Sequence, residues 1–117
     1  MQSKKQESKI QQEIFNWFNN NYCLKNHNPR CYIFSVPNET KTAIEAMYKK
    51  SMGMRSGVSD LIVLLPNRCL FVEVKTDVGR QSDKQKEFEQ IVKNLGFDYQ
   101  LVRSLDDFLT FINLYIN

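Results

Sequence analysis

Three ionisable residues at two adjacent apolar segments are the part of this sequence that is best suited to chemistry. Asp60 precedes the apolar run 61–65, and Glu73 and Lys75 interrupt the apolar run 69–75. Ionised groups are rare inside such runs because burial removes their hydration. Glu73 and Lys75 are two residues apart, so a β-strand would place both on the same side of a sheet. The pattern predicts a site built from carboxylates and one lysine.

The length of the turn between the two apolar runs decides whether Asp60 joins that site. A two-residue loop at 66–67 would set Asp60 directly opposite Glu73, with their Cβ atoms ~4.5–5.5 Å apart. A three-residue loop would set Asp60 against Val74 and turn its side chain away, unless a bulge before Asp60 restored the geometry. Two carboxylates at such a distance repel each other unless a cation lies between them. Mg²⁺ accepts this kind of oxygen ligand set, completed by water and substrate phosphate.

The chemistry that such a site permits is metal-assisted hydrolysis of phosphodiesters. Asp60 and Glu73 would hold the ion, which would polarise the scissile phosphate and lower the pKa of a bound water. Lys75 would orient or activate that water, or stabilise the charge that builds on the phosphate oxygens. The alternative without chemistry is a capping aspartate together with a glutamate–lysine ion pair.

Composition and length exclude several other classes of protein. The 117 residues, 42% of them hydrophobic, are expected to form one domain over 1–117. The longest apolar run, 61–65, is far shorter than the ~20 residues of a membrane-spanning helix, and the first residues lack a signal-peptide core. One histidine and three cysteines without a CxxC pair argue against zinc and against a disulfide framework. We therefore expect a protein of the reducing cytoplasm.

Hydrophobic periodicity predicts an α/β fold with a mixed sheet. The sheet must be mixed because a short turn joins its two central strands, whereas a helix long enough for a parallel crossover joins the third strand to the fourth. Helices on both faces of this sheet are the natural packing. The expected helices cover 6–19, 40–52, 82–95 and 105–116, and the expected strands cover 31–36, 60–65, 69–75 and 99–102.

Basic residues gather in two parts of the chain, although the net charge is only +3. The segment 41–55 holds four basic residues and one acid, and a second group follows the lysine of the site. Such patches are typical of phosphate binding, and the alternative is a solvated helix face. The candidate DNA contacts are Arg55, Ser56, Lys49, Lys50, Arg80 and Lys84.

The arrangement of the site residues resembles a known nuclease signature. Asp60 followed at a distance by Glu73-Val74-Lys75 is similar to the PD-(D/E)xK motif. The surrounding segments extend the likeness over essentially the whole chain and resemble the VRR-NUC domain, in the minimal stand-alone form found in phages and bacteria. These segments are Pro37-Asn38-Glu39, 53–60, 79–82 with Gln85, Gly96-Phe97 and Arg103-Ser104. Ser59 departs from the family, which usually has proline there, and we expect the change to be tolerated.

The resemblance implies a restriction-endonuclease-like core, dependence on Mg²⁺ or Mn²⁺, and structure-selective cleavage of DNA. It also implies a homodimer acting on branched DNA such as four-way (Holliday) junctions, without a small-molecule cofactor. Asp60 and Glu73 would be metal ligands, with the carbonyl of Val74 completing the shell. Lys75 would be the catalytic lysine, and the Gln85 amide would lie beside the site and hydrogen-bond Lys75 or a metal-bound water.

The family also places a glutamate on the first helix, where Glu7 and Glu13 are both candidates. On a helical wheel Glu7 falls inside the apolar stripe and Glu13 at its edge. An acid inside an apolar stripe needs a reason, so Glu7 is the expected catalytic residue, and a solvated acid remains the alternative. The stripe consists of Ile10, Ile14, Trp17 and Phe18.

Two further alternatives remain open from the sequence. The chain could be a DNA-binding module with a catalytically silent nuclease core, although Asp60, Glu73 and Lys75 are all intact. The last helix carries apolar residues beyond its core stripe, among them Phe111 and Leu114. These residues could supply a dimer face or simply pack on the first helix.

Overall fold

The computed structural model describes residues 2–116, which form four helices and four strands. Their order along the chain confirms the predicted α/β succession. The helices are α1 (Gln2–Tyr22), α2 (Ala43–Ser51), α3 (Asp83–Asn94) and α4 (Leu105–Ile112). The strands are β1 (Tyr32–Ser35), β2 (Leu61–Leu65), β3 (Arg68–Val74) and β4 (Asp98–Val102).

Several helix boundaries differ from the prediction: α1 begins at Gln2 instead of residue 6, α2 begins at Ala43 instead of residue 40, and the ends of α1 and α4 also differ. Helix α1 continues through the asparagine run that was expected to end it, because Asn21 donates a hydrogen bond to the Trp17 carbonyl within the helix. The ring of Tyr22 then packs on Trp17 and Phe18, and this contact extends the helix by tertiary packing. Helix α4 ends at Ile112 instead of reaching residue 116, and Asn113 caps it.

The four strands form one mixed sheet in the order β1-β2-β3-β4, which confirms the predicted architecture. The first three strands pair antiparallel, and β4 joins β3 in parallel. Leu65 pairs with Arg68, so the loop between β2 and β3 has two residues. Asn67 adopts a φ of 59° there, a conformation that asparagine tolerates. The structure thus decides the open question of loop length.

One face of the sheet is covered by α1 and α4 and forms the main core. Phe18 of α1 meets Phe108 of α4 edge to face, with 6.0 Å between ring centroids. Both rings lie above the fully buried side chains of Leu61, Val63, Leu70 and Val72. Phe111 is also buried in this core. Of the two alternatives for the last helix, a dimer face or packing on the first helix, Phe111 therefore follows the second.

The other face of the sheet is covered by α3 only over β3 and β4. Phe88 of α3 packs edge to face on Phe71 and on Tyr99, with centroids 5.8 Å and 6.2 Å apart. Tyr32 and Phe34 of β1 remain partly exposed. The polar site lies on this partly covered face, since Glu73 and Phe71 point to the same side of β3.

Within residues 2–116, no helix is both long enough and apolar enough to cross a membrane. The three cysteines are free thiols, and Cys23 and Cys31 are buried.

Candidate active site

Asp60 reaches the site through the register of β2 and β3. The pairs run from Leu65 with Arg68 to Leu61 with Val72, so one more step sets Asp60 across from Glu73. The Asp60 carboxylate accepts a hydrogen bond of 2.7 Å from the Val74 amide, which ties it to β3. Partial burial raises the pKa of Asp60, while the Val74 amide and the Lys75 ammonium act in the opposite direction.

Glu73 is a fully buried carboxylate whose two oxygens have different surroundings. The Tyr99 hydroxyl donates a hydrogen bond to Oε1, and the Gln81 amide donates a second one of 3.3 Å. Oε2 is buried without a hydrogen-bond partner, and the Lys75 Nζ lies 3.8 Å from it. Burial raises the pKa of Glu73, and the Gln81 hydrogen bond and Lys75 only partly offset this. One oxygen is therefore anchored and the other is open to a cation.

Lys75 is mostly buried, and the loop that follows it is held in place by Arg103. The Arg103 guanidinium donates hydrogen bonds to the carbonyls of Thr76, Asp77 and Gly79. A Cβ at Gly79 would lie 3.3 Å from the Lys75 Cδ, so glycine leaves room for the lysine stem. Arg103 belongs to the segments that carried the family resemblance, but no role could be assigned to it from the sequence.

The donor set fits a hard divalent cation better than zinc. The described residues contain no group of three or more histidine, cysteine, aspartate or glutamate side chains that could hold a metal. Two carboxylates, one with a buried oxygen lacking a partner, match an ion that retains several waters and takes substrate phosphate. Asp60 and Glu73 are the residues that would hold it, and the Val74 carbonyl stays a predicted third ligand.

Gln85 lies at the beginning of α3, where its hydrogen bonds cap the helix. Its side chain accepts a hydrogen bond of 2.8 Å from the Ser82 amide, and the Ser82 hydroxyl accepts one from the Gln85 amide. This is the capping box that an S-x-x-Q sequence predicts. The Gln85 amide was expected to hydrogen-bond Lys75 or a metal-bound water, and its side chain caps the helix instead. The glutamine that contacts a site carboxylate is Gln81, whose amide donates to Glu73 and also to Glu89 at 2.9 Å.

Tyr99 and Gln81 were not predicted as site residues. The only signal for Tyr99 was a phenol at the beginning of an apolar strand, since a buried tyrosine hydroxyl needs a partner. Gln81 lies in the segment 79–82 that carried the family resemblance, but its residue type gave no role, because a polar residue in a polar loop is the expected composition. Both reach Glu73 only because α3 and β4 fold against β3.

On α1 the burial of the two candidate glutamates differs. Glu7 is half-buried and Glu13 is exposed, and the choice of Glu7 stays a prediction. A cavity of about 340 Å³ separates the polar flank of α1 from Ser35 and Leu61, the strand residues next to Asp60. Neither Glu7 nor a carboxylate of the site is among the described residues that line this cavity, so the contribution of α1 to the site stays a prediction.

A second cavity brings together four of the six candidate DNA contacts. It measures about 370 Å³, and its lining includes Lys50, Arg55, Ser56 and Lys84. The other two candidates do not line it. Arg80 is exposed, and Lys49 pairs with Glu45 of the preceding helical turn at 3.7 Å.

The loop before Asp60 is pressed against the beginning of α3 through Gly57. Gly57 has a φ of 86°, and a Cβ there would lie 2.6 Å from the backbone of Lys84. Only glycine allows this approach. The neighbouring Ser59 is fully buried, and its hydroxyl donates to the Leu61 carbonyl at 3.5 Å. This hydrogen bond satisfies the buried hydroxyl of Ser59, at a position where the family that the chain resembles usually has proline.

Replacing Tyr99 with phenylalanine tests how Glu73 is held. The variant keeps the ring contacts with Phe88 and removes only the hydroxyl donor to Oε1. We expect the affinity for Mn²⁺, measured by titration calorimetry, to fall by about tenfold, since partners of metal ligands have effects of that size. Tyr32→Phe, on the exposed β1, is the control. An unchanged Mn²⁺ affinity would mean that the Tyr99 ring only packs.

Comparisons with known proteins bear on the family and the fold. A family profile described as the VRR-NUC domain matches residues 3–106. A solved structure described as a "VRR_NUC domain protein" superposes with a TM-score of 0.74 at 23% sequence identity. The match covers 95% of this chain and 88% of that one, and at this identity it bears on the fold alone. No curated protein matches the chain.

Proposed function

The chain belongs to the VRR-NUC family of nuclease domains of the PD-(D/E)xK type, and on this basis we propose that it is a divalent-metal-dependent endonuclease of branched DNA. The observation that carries the proposal is the pair Asp60 and Glu73, set across from each other, with one Glu73 oxygen buried and without a hydrogen-bond partner among the described residues. Mg²⁺ or Mn²⁺ bound there would polarise the scissile phosphate and make a bound water more acidic.

The side chains around the carboxylates have separate roles in this proposal. Lys75, held beside Glu73, orients the attacking water or stabilises charge on the phosphate oxygens. Tyr99 and Gln81 fix the orientation of Glu73. Glu7, on the flank of α1, is the proposed additional acid of the site. The observed hydrogen bonds of Gln85 cap α3, and we retain Gln85 as a candidate catalytic residue beside the site.

Substrate DNA is proposed to lie across the basic cavity and the site together. Lys50, Arg55, Ser56 and Lys84 would contact phosphates, with Lys49 and Arg80 at the margins. Phosphate contacts of this kind position the strand without reading its sequence. The free cysteines fit the reducing cytoplasm, where we place the protein.

The proposal is tested by cleavage of a set of DNA substrates. A labelled four-way junction, a 5′ flap and a linear duplex of matched sequence are incubated with the protein in Mg²⁺ or Mn²⁺, and in chelator. We expect metal-dependent cutting of the branched substrates and little cutting of the duplex. Binding of DNA without cutting of any substrate would support the silent module instead.

A homodimer is the assembly we propose, and α2 supplies the surface that supports it. This helix buries none of its side chains, and its apolar residues recur at helical spacing on exposed positions. A stripe of this kind on a soluble domain marks an interaction surface. A second copy of the chain would cover it and place two active sites on one branched substrate. The stripe consists of Ile44, Met47, Tyr48 and Met52.

Replacing Met47, which is 72% exposed, with aspartate is expected to convert the dimer to a monomer. A charge in the centre of an apolar interface is costly to desolvate. Light scattering after size exclusion should give twice the 13.8 kDa chain mass for the wild type and a single chain mass for the variant. Leu114→Asp is the matched control, because Leu114 is 73% exposed but lies beyond α4. If Leu114→Asp separates the dimer and Met47→Asp does not, the interface lies elsewhere.

A further inference from the structure

The basic cavity beside α3 has an apolar part that phosphate contacts leave unexplained. Besides its cations it is lined by Met54, Phe88 and Ile91. Ile91 is 49% exposed, although it lies on the helix face that turns toward the loop before Asp60. We call this space the α3 cavity.

The α3 cavity adjoins the proposed active site. Phe88 packs edge to face on Tyr99, whose hydroxyl donates to the Glu73 carboxylate. Val58, another lining residue, lies two positions before Asp60. A group bound in the cavity is therefore a close neighbour of the phosphate held at the two carboxylates.

Charge and size limit what the cavity can hold. Three cations, Lys50, Arg55 and Lys84, line it together with one acid, Glu87, so it favours an anionic ligand. Its volume of about 370 Å³ is at the lower end of the ~300–1,000 Å³ of small-ligand sites, which suits a single nucleotide and excludes a duplex.

We propose that the α3 cavity binds one unpaired nucleotide of a branched DNA, with its phosphate against the cations and its base against Met54, Phe88 and Ile91. In a paired duplex the bases are stacked inside, so the apolar lining would have no partner. An unpaired nucleotide offers a phosphate and a free aromatic face at once, and such faces bind apolar and aromatic side chains. This inference rests on the proposed function and adds the feature of branched DNA that the protein would recognise.

The test measures binding without metal, so that no substrate is cleaved. Two labelled probes are used, a fully paired duplex and the same duplex with one unpaired adenine. We expect the wild-type chain to bind the second probe about tenfold more tightly, in line with the contribution of one stacked base. Ile91→Asn is expected to abolish most of this preference. Leu95→Asn, at the C-cap of the same helix, 69% exposed and outside the cavity, is expected to retain it.

Melting curves show whether both variants fold, and Met54→Asn replaces Ile91→Asn if that variant does not. The proposal is overturned if the wild type binds both probes equally, if Ile91→Asn weakens both equally, or if it keeps the full preference. Cleavage of the same probes in Mg²⁺ is measured separately. Absence of cleavage would overturn the nuclease proposal while leaving the binding preference intact, so the two failures are distinguishable.

Discussion

Replacing Lys75 with alanine is expected to lower the rate of DNA cleavage by a factor of about 10²–10⁴. The ammonium lies 3.8 Å from the unpartnered Glu73 oxygen, where it can act on the attacking water or on the phosphate. DNA affinity is expected to change by less than about threefold, because the phosphate contacts assigned to the α3 cavity remain. The measurement is single-turnover cleavage of a four-way junction, with binding measured in chelator.

Two further variants separate catalysis from packing at this position. Lys75→Met keeps the apolar stem that lies near Gly79 and removes only the charge, so it should be as inactive as Lys75→Ala. Lys86→Ala removes an exposed lysine of α3 and should cleave normally. Cleavage by Lys75→Met at the wild-type rate would exclude Lys75 from the mechanism and leave it as an ion-pair partner of Glu73.

Replacing Glu73 with glutamine is expected to abolish Mn²⁺ binding and cleavage while the metal-free protein becomes more stable at neutral pH. The substitution keeps the shape of the side chain and an oxygen that can accept from Tyr99. It removes a fully buried charge whose one ion-pair partner among the described residues is Lys75. We expect the Tm at neutral pH to rise by about 2–5 °C, the scale of a change near 1 kcal/mol in a domain of this size.

The pH dependence of stability follows from the same carboxylate. Burial raises the pKa of Glu73 and of Asp60, so the folded protein binds protons more readily than the unfolded chain. The stabilisation from these groups is full below the ordinary carboxylate pKa and is lost as the pH rises through the raised values. Metal-free wild type should therefore lose more stability between acidic and neutral pH than Glu73→Gln does.

Glu89→Gln is the matched control for this experiment. Glu89 accepts from the same Gln81 amide as Glu73, but it lies on α3 and is held by Lys93 at 2.7 Å. We expect it to bind Mn²⁺ with no more than about a threefold loss. Burial acts to raise the pKa of Glu89, but hydrogen bonds from Lys93 and Gln81 hold that pKa below its ordinary value, so Glu89→Gln should lose at least as much stability as the wild type between acidic and neutral pH. If Glu73→Gln still bound Mn²⁺ with calorimetric heat equal to that of Glu89→Gln, Glu73 would not be a ligand.

Local patterns predicted the two-carboxylate arrangement for one of two possible loop lengths, and the structure decided between them. The alternation of apolar residues sets which side chains of β3 share a face, and Pro66-Asn67 fits a two-residue turn. Together they bring Asp60 opposite Glu73, because side-chain direction in a strand follows a period of two. Capping of α3 by Ser82 and Gln85 is equally local, and its residues lie three positions apart.

Contacts between segments that are distant in the sequence could not be predicted from those local patterns. The hydrogen-bond donors to Glu73 are Gln81, in the loop before α3, and Tyr99 of β4. The loop after Lys75 is held by hydrogen bonds from Arg103. The α3 cavity likewise forms only where Gly57 meets the backbone of Lys84.

The sequence by itself determined the order of the elements, the mixed sheet and the shared face of Glu73 and Lys75. Those features depend on periodicity, turn length and residue type, which act over a few neighbouring positions. Only the tertiary structure decided which oxygen of Glu73 is anchored and which is left without a partner. That outcome depends on how closely α3 and β4 pack on β3, and such packing is set by the whole core at once.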